Sequence, residues 1–470
     1  MDVDGRFLWA SRSRPGSGLI AGARGDHIFL TRGVLTVVMA AADRSMIAHL
    51  LRRTGFGPTA DEVEVASAKG YATVVDELLD FSGPDPADSI PAPRVVPSDP
   101  AIARNLSLAQ RQALNQQLAA GVREVQLWWL NRMATTSHPL REKLTWFWHG
   151  HFATSADKVR RPDLMLRQNQ LLRAGGSGDF EALTQSVAKD PAMMIWLDTA
   201  TDAKAHPNEN FARECMELFT LGIGNYTESD VKAVARAFTG WAIDPRTISW
   251  VLRAARHDSG PKTVLGQTGD WGGEDAIHIL VNSPASHAWI ASRLWSHFAY
   301  PVAPTDPIVA DLAPAYGQDR NIARLLRAIL LHPTFTSPQA RTSLVKQPVE
   351  WTVGALRALG LPTATQPVLA ALTAQGQVPL RPPNVGGWPQ NDYWLTTASS
   401  LARLDAASAA AGAADLSGVA AASGPSRVDA LAHLLSVEWS RATANALSAV
   451  AASPRQLVSL ALVAPEYVLA

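Results

Sequence analysis

The sequence predicts a mainly α-helical, multi-helix globular protein with a small β-hairpin insertion. Along most of the chain, apolar residues recur at the three- and four-residue spacing of amphipathic helices. Hydrophobic residues make up 47% of the 470 residues and charged residues 18%, a balance typical of a well-buried globular protein. Strand-like alternation is clear in one place, where Ile248, Trp250 and Leu252 precede a turn and residues 263–265 follow it. We therefore predict a hairpin at about residues 246–266.

Four segments are predicted along the chain. Residues 1–38 have the composition of a non-folding, disordered leader, and residues 39–411 carry the helical pattern of the main domain. Residues 412–426 are mostly small and are expected to form a flexible loop. Residues 427–470 return to helical spacing, so we expect C-terminal helices that pack on the main domain.

The charge and cysteine content restrict the class of protein. The chain has 42 basic and 42 acidic residues and no long basic run, which gives no electrostatic basis for nucleic-acid binding. Its one cysteine, Cys215, excludes an internal disulfide and disfavours a cysteine-based zinc site. No apolar run approaches the ~20 residues that cross a bilayer. We expect a soluble cytoplasmic protein, with export as the alternative.

The densest group of charged residues lies between Asn208 and Trp241, which we predict to form two helices joined by a glycine turn. The Asn208 side chain can cap the first helix by accepting a free backbone N–H, and Gly222 suits the left-handed residue that ends it. Thr227 can cap the second helix, with Asp230 in place of the Glu or Gln of a capping box.

One arc of the first helix is polar. At about 100° per residue, Asn210, Arg213, Glu214 and Glu217 share this arc. The arc is either an ordinary solvated face or the wall of a polar cleft, in which two carboxylates one turn apart can hold a metal or share a proton. Burial distinguishes the two, because exposed charge pairs contribute little stability.

The motif His149-Gly150-His151 is a candidate metal site. In a helix the two histidines would point in nearly opposite directions, whereas residues i and i+2 of an extended segment point the same way. We expect the extended form, because Gly150 lies at the end of a predicted helix. An H-x-H pair can then supply half of a metal site. The alternative is a pair of packed core histidines among the neighbouring tryptophans and phenylalanines.

Two further stretches can contribute to a site. His257 and Asp258 lie in the predicted hairpin turn, where an imidazole beside a carboxylate can act as an acid–base pair, although aspartate in a tight turn also serves the backbone. Residues 381–389, RPPNVGGWP, combine fixed proline dihedrals with two glycines that allow close backbone approach. This loop is either the rim of a cleft or a structural clamp.

Several stretches occur in order over about residues 46–404: AHLLRRTGFGPT, LREKLTWFWHGHFATS, NENFARECMELFTLGIGNYTESDVKAVARAFTGW, HDSGPKTVLGQTGDWGGEDAI, VKQPVEWTVGALRALG and PPNVGGWP. Together they resemble a bacterial family known as domain of unknown function eighteen-hundred. The resemblance implies a mostly helical fold, without an established activity, catalytic residue or cofactor. Relatives are often encoded beside a second protein that is similar to sulfatases and alkaline phosphatases, which implies a role as a partner protein.

The first functional hypothesis is an enzyme with a polar cleft that acts on an unidentified small molecule. Hydrolysis is the expected reaction, and metal-dependent oxidation is the alternative. A divalent metal would be held by His149, His151 and Glu214, while the other carboxylate acts as base on a bound water and Arg236 holds an anionic substrate. The candidate catalytic residues are Glu214, Glu217, Arg236, His257 and Asp258.

The second hypothesis is a non-catalytic binding or chaperone-like protein, whose polar motifs would be buried clamps between helices. Its partner would be a protein, such as the sulfatase-like or phosphatase-like neighbour. Neither hypothesis includes nucleic acid or a membrane-spanning segment.

Overall fold

The structure is a computed structural model that describes residues 44–95, 106–424 and 426–469. The predicted leader, residues 1–38, lies outside the described residues, as does the predicted start of the main domain at residue 39. Helices dominate the described part of the chain, and the strands found there form two short hairpins. The predicted mainly α fold is therefore confirmed.

The first half of the described chain is a series of helices. Residues 44–54 are helical. The α-helices that follow are Ala60–Ser67, Tyr71–Leu79, Leu108–Thr135, Pro139–His151, Ala156–Val159, Pro162–Gly175, Phe180–Ala188, Pro191–Trp196, Glu209–Glu214 and Glu228–Phe238, with 3₁₀ turns at Pro86–Ser89 and Thr199–Thr201.

Helices resume after the two hairpins. The α-helices are Gly273–Val281, Pro284–Phe298, Pro307–Tyr316, Ile322–Leu331, Pro338–Thr342, Pro348–Ala358, Gln366–Ala374, Thr397–Ala413, Ser417–Ala421, Ser426–Leu435, Arg441–Ser448, Pro454–Leu462 and Pro465–Val468. The remaining 3₁₀ turns are Ala254–Arg256, which lies between the two hairpins, Pro333–Thr336 and Asn391–Leu395.

Proline sets the start of many of these helices. Pro139, Pro162, Pro284 and Pro348 each occupy the first turn of a helix. A first-turn N–H has no partner within the helix, and the proline ring already holds φ near its helical value. Proline is therefore accommodated there without loss of a hydrogen bond, and the local sequence defines where these helices begin.

The predicted helix pair is present, and its two N-caps are confirmed. Asn208 accepts the N–H of Asn210 at 3.0 Å, and Thr227 and Asp230 form a reciprocal capping box. The first helix differs from the prediction in its second half, where Cys215–Leu221 winds as a π-helix. No feature of the sequence pattern indicated this wider winding, which in other proteins is frequent at functional sites.

The strands of the described residues form two hairpins rather than the single predicted one. Trp241–Asp244 pairs antiparallel with Ser249–Leu252, and Lys262–Val264 pairs with Gln267–Gly269. The predicted pairing of the second strand with the third is wrong. Each strand has a nearer partner across a tight turn, and closing a short loop costs less entropy.

The helix Pro139–His151 lies between two hydrophobic clusters. Leu144, Phe147 and Trp148 belong to one cluster, and Trp146 belongs to the other. Most residues of this helix are buried, including Glu142 and Lys143, so these two charged side chains lie inside the protein and need partners there.

The C-terminal part is also helical. Thr397–Ala413 packs against Pro454–Leu462. Within the predicted flexible loop, Ser417–Ala421 is a short helix, and the helices of the predicted C-terminal segment are separated at residues 436–440. In the described parts of the chain, no helix has both the length and the apolar content to cross a membrane.

Candidate anion-binding cleft

The predicted metal-ligand pair His149 and His151 is helical, not extended. The helix Pro139–His151 continues through both residues, so the two rings leave it on different sides. Gly150 does not end the helix, because the burial of the surrounding residues outweighs the low helix propensity of glycine. The expectation of an extended segment is therefore wrong.

Each of the two rings has its own buried surroundings. His149 Nε2 accepts the N–H of Leu380 at 3.2 Å, and burial lowers the pKa of His149 to about 3. His151 Nε2 donates to the Phe219 carbonyl at 3.0 Å, and burial, followed by the charge of Arg293, lowers its pKa to about 3. Both imidazoles are therefore neutral near pH 7, and each holds the backbone of a distant segment.

The predicted carboxylates Glu214 and Glu217 lie on a partly exposed arc. Burial, followed by the charge of Glu217, raises the pKa of Glu214. Tyr226 donates its hydroxyl to Glu217, and Arg213 makes two hydrogen bonds of 2.8 Å with Glu228. Arg213 and Glu217 of the polar arc are thus bonded to neighbours within residues 208–241.

Arg236, His257 and Asp258 form a local clamp. The Arg236 guanidinium donates to both oxygens of Asp258, at 2.7 and 3.2 Å. His257 Nδ1 donates to the Thr239 carbonyl at 2.7 Å, while the Thr239 hydroxyl accepts the Asp258 N–H at 2.8 Å. These bonds connect the end of helix Glu228–Phe238 to the loop before the second hairpin.

The clamp should make stability depend on pH in the acid range. The Arg236 hydrogen bonds lower the pKa of Asp258 from 3.8 to about 2. The stabilisation is therefore present above pH 3.8 and is lost as the pH falls towards 2. We expect it to stay below about 1 kcal/mol, because the pair is partly exposed. The difference in unfolding free energy between wild type and Asp258→Asn measures it, and a difference that persists unchanged at the acid end contradicts this account.

The predicted site residues thus fall into three groups: the histidines of the His149–His151 motif, the Glu214–Glu217 arc, and the Arg236–Asp258 clamp. Within the described residues, no hydrogen bond or ion pair joins a predicted side chain of one group to that of another. Nor does any set of three His, Cys, Asp or Glu side chains there have an arrangement that could hold a metal. The assignment of His149, His151 and Glu214 to a metal stays a prediction.

A further set of polar side chains, together with His151 of the predicted motif, lines what we term the internal cleft. The internal cleft has two parts, each of about 30 Å³, which share His297, Gln347 and Gln390 as lining residues. Trp146 and Trp388 line one part. The charged side chains that line the other are Arg52, Arg53, Lys143 and Glu350.

Positive charge exceeds negative charge in the internal cleft. Arg53 and Lys143 are buried, with only 2% and 4% of their surface exposed. Among the described lining residues Glu350 is the one carboxylate, and it pairs with Lys143. Burial, followed by the charge of Arg52, lowers the pKa of Arg53 to about 9, so this guanidinium is still cationic at neutral pH. The buried Arg53 guanidinium therefore has no carboxylate of its own among the described lining residues, and the charge of the half-buried Arg52 adds to the positive excess.

The hydrogen-bond donors of the internal cleft are only partly used. Arg53 donates from Nη2 to the Ala340 carbonyl, but its buried Nε has no partner among the described residues. The buried Nε2 of His297 has no partner there either. Burial, followed by the charge of Lys143, lowers the pKa of His297 to about 3, so the ring is neutral.

The orientation of Gln347 is fixed by two donors. The indole N–H of Trp146 and the amide of Gln377 donate to Gln347 Oε1, at 3.1 and 2.8 Å. An indole N–H can only donate, so the atom of Gln347 that faces Trp146 is the side-chain oxygen. The NH₂ group of Gln347 is therefore the end of the amide that can donate to a ligand in the cleft. Trp146 also stacks on Trp388, with ring centroids 4.8 Å apart.

The loop at residues 381–389 both packs against the end of the helix Pro139–His151 and borders the internal cleft. Gly387 has a φ of 83°, and a Cβ at this position would overlap the carbonyl oxygen of Gly150. Glycine is therefore required for the loop to rest on the helix end that carries His149 and His151. The next residue, Trp388, lines the internal cleft.

Sequence reasoning missed the residues that define the internal cleft. Charged residues inside otherwise apolar helical stretches were the available signal. Most of the missed residues fall in the stretches that carry the family resemblance. The exception, His297, lies two residues after Trp295 on the helix Pro284–Phe298. The missed residues are Arg53, Lys143, His297, Gln347 and Glu350.

The fold and the site define a mainly α-helical protein with an internal, cation-rich cleft. The model of the family described as Protein of unknown function (DUF1800) matches residues 49–469. The chain belongs to this family, which confirms the resemblance seen in the sequence. A search of curated proteins and a search of solved structures each found no match.

Proposed function

We propose that this protein binds a compact oxyanion in the internal cleft. The observation that supports the proposal is the buried excess of positive charge, with Arg53 and Lys143 at a cavity that Glu350 alone cannot neutralise. A buried ion costs several kcal/mol unless it is paired and hydrogen-bonded. An anion between these cations would supply the missing negative charge and accept from the free Arg53 Nε.

The size of the internal cleft restricts the ligand. Each part has a volume of about 30 Å³, and one water molecule needs about 10–15 Å³ by the same measure. This space suits a phosphate, sulfate or carboxylate group, either as the free ion or as the head group of a small molecule. A bulky ligand would require the lining side chains to move.

Two uses of the bound anion are proposed. As an enzyme, the protein would hydrolyse an ester of that anion, with the neutral His297 ring as the group that can take up a proton. As a non-catalytic binding protein, it would hold the anion unchanged. The small volume of the cleft favours this second use.

Turnover of chromogenic phosphate and sulfate esters distinguishes the enzyme from the non-catalytic binding protein. The metal content of the purified protein and of a His149→Ala variant tests the metal-dependent form of the enzyme hypothesis.

Replacing Arg53 by methionine is expected to weaken the binding of inorganic phosphate about 10-fold or more. A hydrogen bond to a charged group contributes about 1.5–3 kcal/mol, and about 1.4 kcal/mol corresponds to a tenfold change in affinity. Isothermal titration calorimetry at neutral pH and low salt measures the affinity, and tryptophan fluorescence provides a second readout because Trp146 and Trp388 line the cleft.

Arg213→Met is the matched control, since Arg213 pairs with Glu228 on the partly exposed helix pair. It should leave phosphate binding unchanged. Circular dichroism verifies that each variant is folded. If the folded wild type binds none of phosphate, sulfate and acetate at millimolar concentration, the proposed function is wrong.

A further inference from the structure

We infer that the internal cleft selects an oxyanion that carries a proton, as phosphate does, over a fully ionised one such as sulfate. This inference rests on the proposed function and specifies its ligand class. Phosphate and sulfate are both tetrahedral and similar in size. At neutral pH inorganic phosphate retains at least one O–H group, whereas sulfate has none. Selection between them therefore depends on whether the site offers a hydrogen-bond acceptor.

Glu350 is that acceptor. Burial, the largest single effect, raises the pKa of Glu350, but the charge of Lys143 and the hydrogen bonds from Lys143 and the Gln347 N–H together bring the pKa below its ordinary value. The carboxylate is therefore ionised at neutral pH. Its oxygens already accept from Lys143 and from the N–H of Gln347, the latter at 3.0 Å. An ionised carboxylate has about four lone-pair sites, so it can accept a further O–H.

The Glu350 carboxylate also disfavours the binding of an oxyanion that carries no proton. Glu350 lines the cavity, and an ionised sulfate oxygen beside its carboxylate would be repelled in surroundings of low dielectric constant. A phosphate O–H placed there replaces that repulsion by a hydrogen bond. The other phosphate oxygens then accept from Arg53 Nε and from the NH₂ group of Gln347.

The neutral His297 ring is consistent with this selection. Its Nε2 has no partner among the described residues, and the charges that surround it are those of Arg53, Lys143, Arg293 and Glu350. A neutral imidazole can either donate or accept, according to which nitrogen carries the proton. The cleft thus combines donors with acceptors, whereas a site for sulfate needs donors alone.

Four tetrahedral anions test the inference on the wild-type protein alone. Phosphate and arsenate carry a proton at neutral pH, whereas sulfate and selenate do not, so size and protonation vary independently. Titration calorimetry at equal ionic strength should show binding of phosphate and arsenate about 10-fold or more tighter than of sulfate and selenate, since the two pairs differ by one hydrogen bond to a charged group. Equal or tighter binding of sulfate overturns the inference and leaves the proposed function intact.

Glu350→Gln provides the variant test. The glutamine side chain is neutral and can donate to a sulfate oxygen, so the ratio of phosphate to sulfate affinity should fall about 10-fold or more. Glu228→Gln, on the exposed ion pair with Arg213, should leave the ratio unchanged. A folded Glu350→Gln protein with the wild-type ratio contradicts the role of Glu350. Absence of binding for all four anions in the wild type would instead contradict the proposed function.

Discussion

Replacing Glu142 by glutamine is expected to lower the free energy of unfolding by about 3–5 kcal/mol, the usual cost of removing one partner of a buried ion pair. The Glu142 side chain is 1% exposed. Its carboxylate accepts from Arg173 at 2.6 and 2.9 Å, from Arg132 at 3.1 Å and from the indole N–H of Trp129 at 3.0 Å. Glutamine would leave two buried guanidinium groups without their shared counter-charge.

Glu228→Gln is the matched control, because Glu228 also pairs with an arginine through two hydrogen bonds. Its side chain is 69% exposed, so the loss should be much smaller than for Glu142→Gln, because an exposed ion pair contributes little stability. Urea denaturation is the appropriate measurement, since guanidinium chloride is a salt and screens charges. Equal losses for the two variants would show that Glu142 is not an essential counter-charge.

Replacing Glu350 by glutamine is expected to cost a similar amount, about 3–5 kcal/mol, but this loss should be reversible by an anion. The variant leaves Lys143 and Arg53 beside a cavity with no carboxylate among its described lining residues. Sulfate bound there would replace the missing charge, and a ligand at 100 times its dissociation constant stabilises by about 2.7 kcal/mol. Urea denaturation with and without added sulfate measures the recovery.

Glu142→Gln serves as the control for this recovery. Both variants lose a carboxylate that pairs with a buried cation, but Glu142 is enclosed by Arg132, Arg173 and Trp129 rather than bordering the internal cleft. Added sulfate should therefore restore Glu350→Gln more than Glu142→Gln, with sodium chloride at equal ionic strength as the reference. Equal recovery would indicate a general salt effect and would contradict the presence of a specific anion site.

Features of the fold that depend on a few adjacent residues were predictable from the sequence. The Asn208 cap and the Thr227–Asp230 capping box need only residues within one helical turn. The extended form of the His149–His151 segment was predicted from the presence of Gly150, but tertiary burial overrides that local preference. The wider winding of Cys215–Leu221 had no local signal.

The internal cleft could not be predicted in the same way. A lysine such as Lys143 within LREKLTWFWHGH has the pattern of a charge on an amphipathic helix, and the sequence does not show that both faces of this helix are covered. The partner Glu350 lies on a different helix, and the carbonyl that holds Arg53 belongs to Ala340. Without those distant contacts, the charges most visible in the sequence were those of the partly exposed 208–241 segment.

The internal cleft also has a consequence for folding kinetics. Its lining residues come from separate stretches between residues 52 and 391, so it exists only after long loops have closed. Contacts of large sequence separation form slowly, because the entropy of loop closure is lost before any contact energy is gained. We therefore expect the proposed anion affinity to appear late in folding, after the segment around residue 390 has joined the earlier helices.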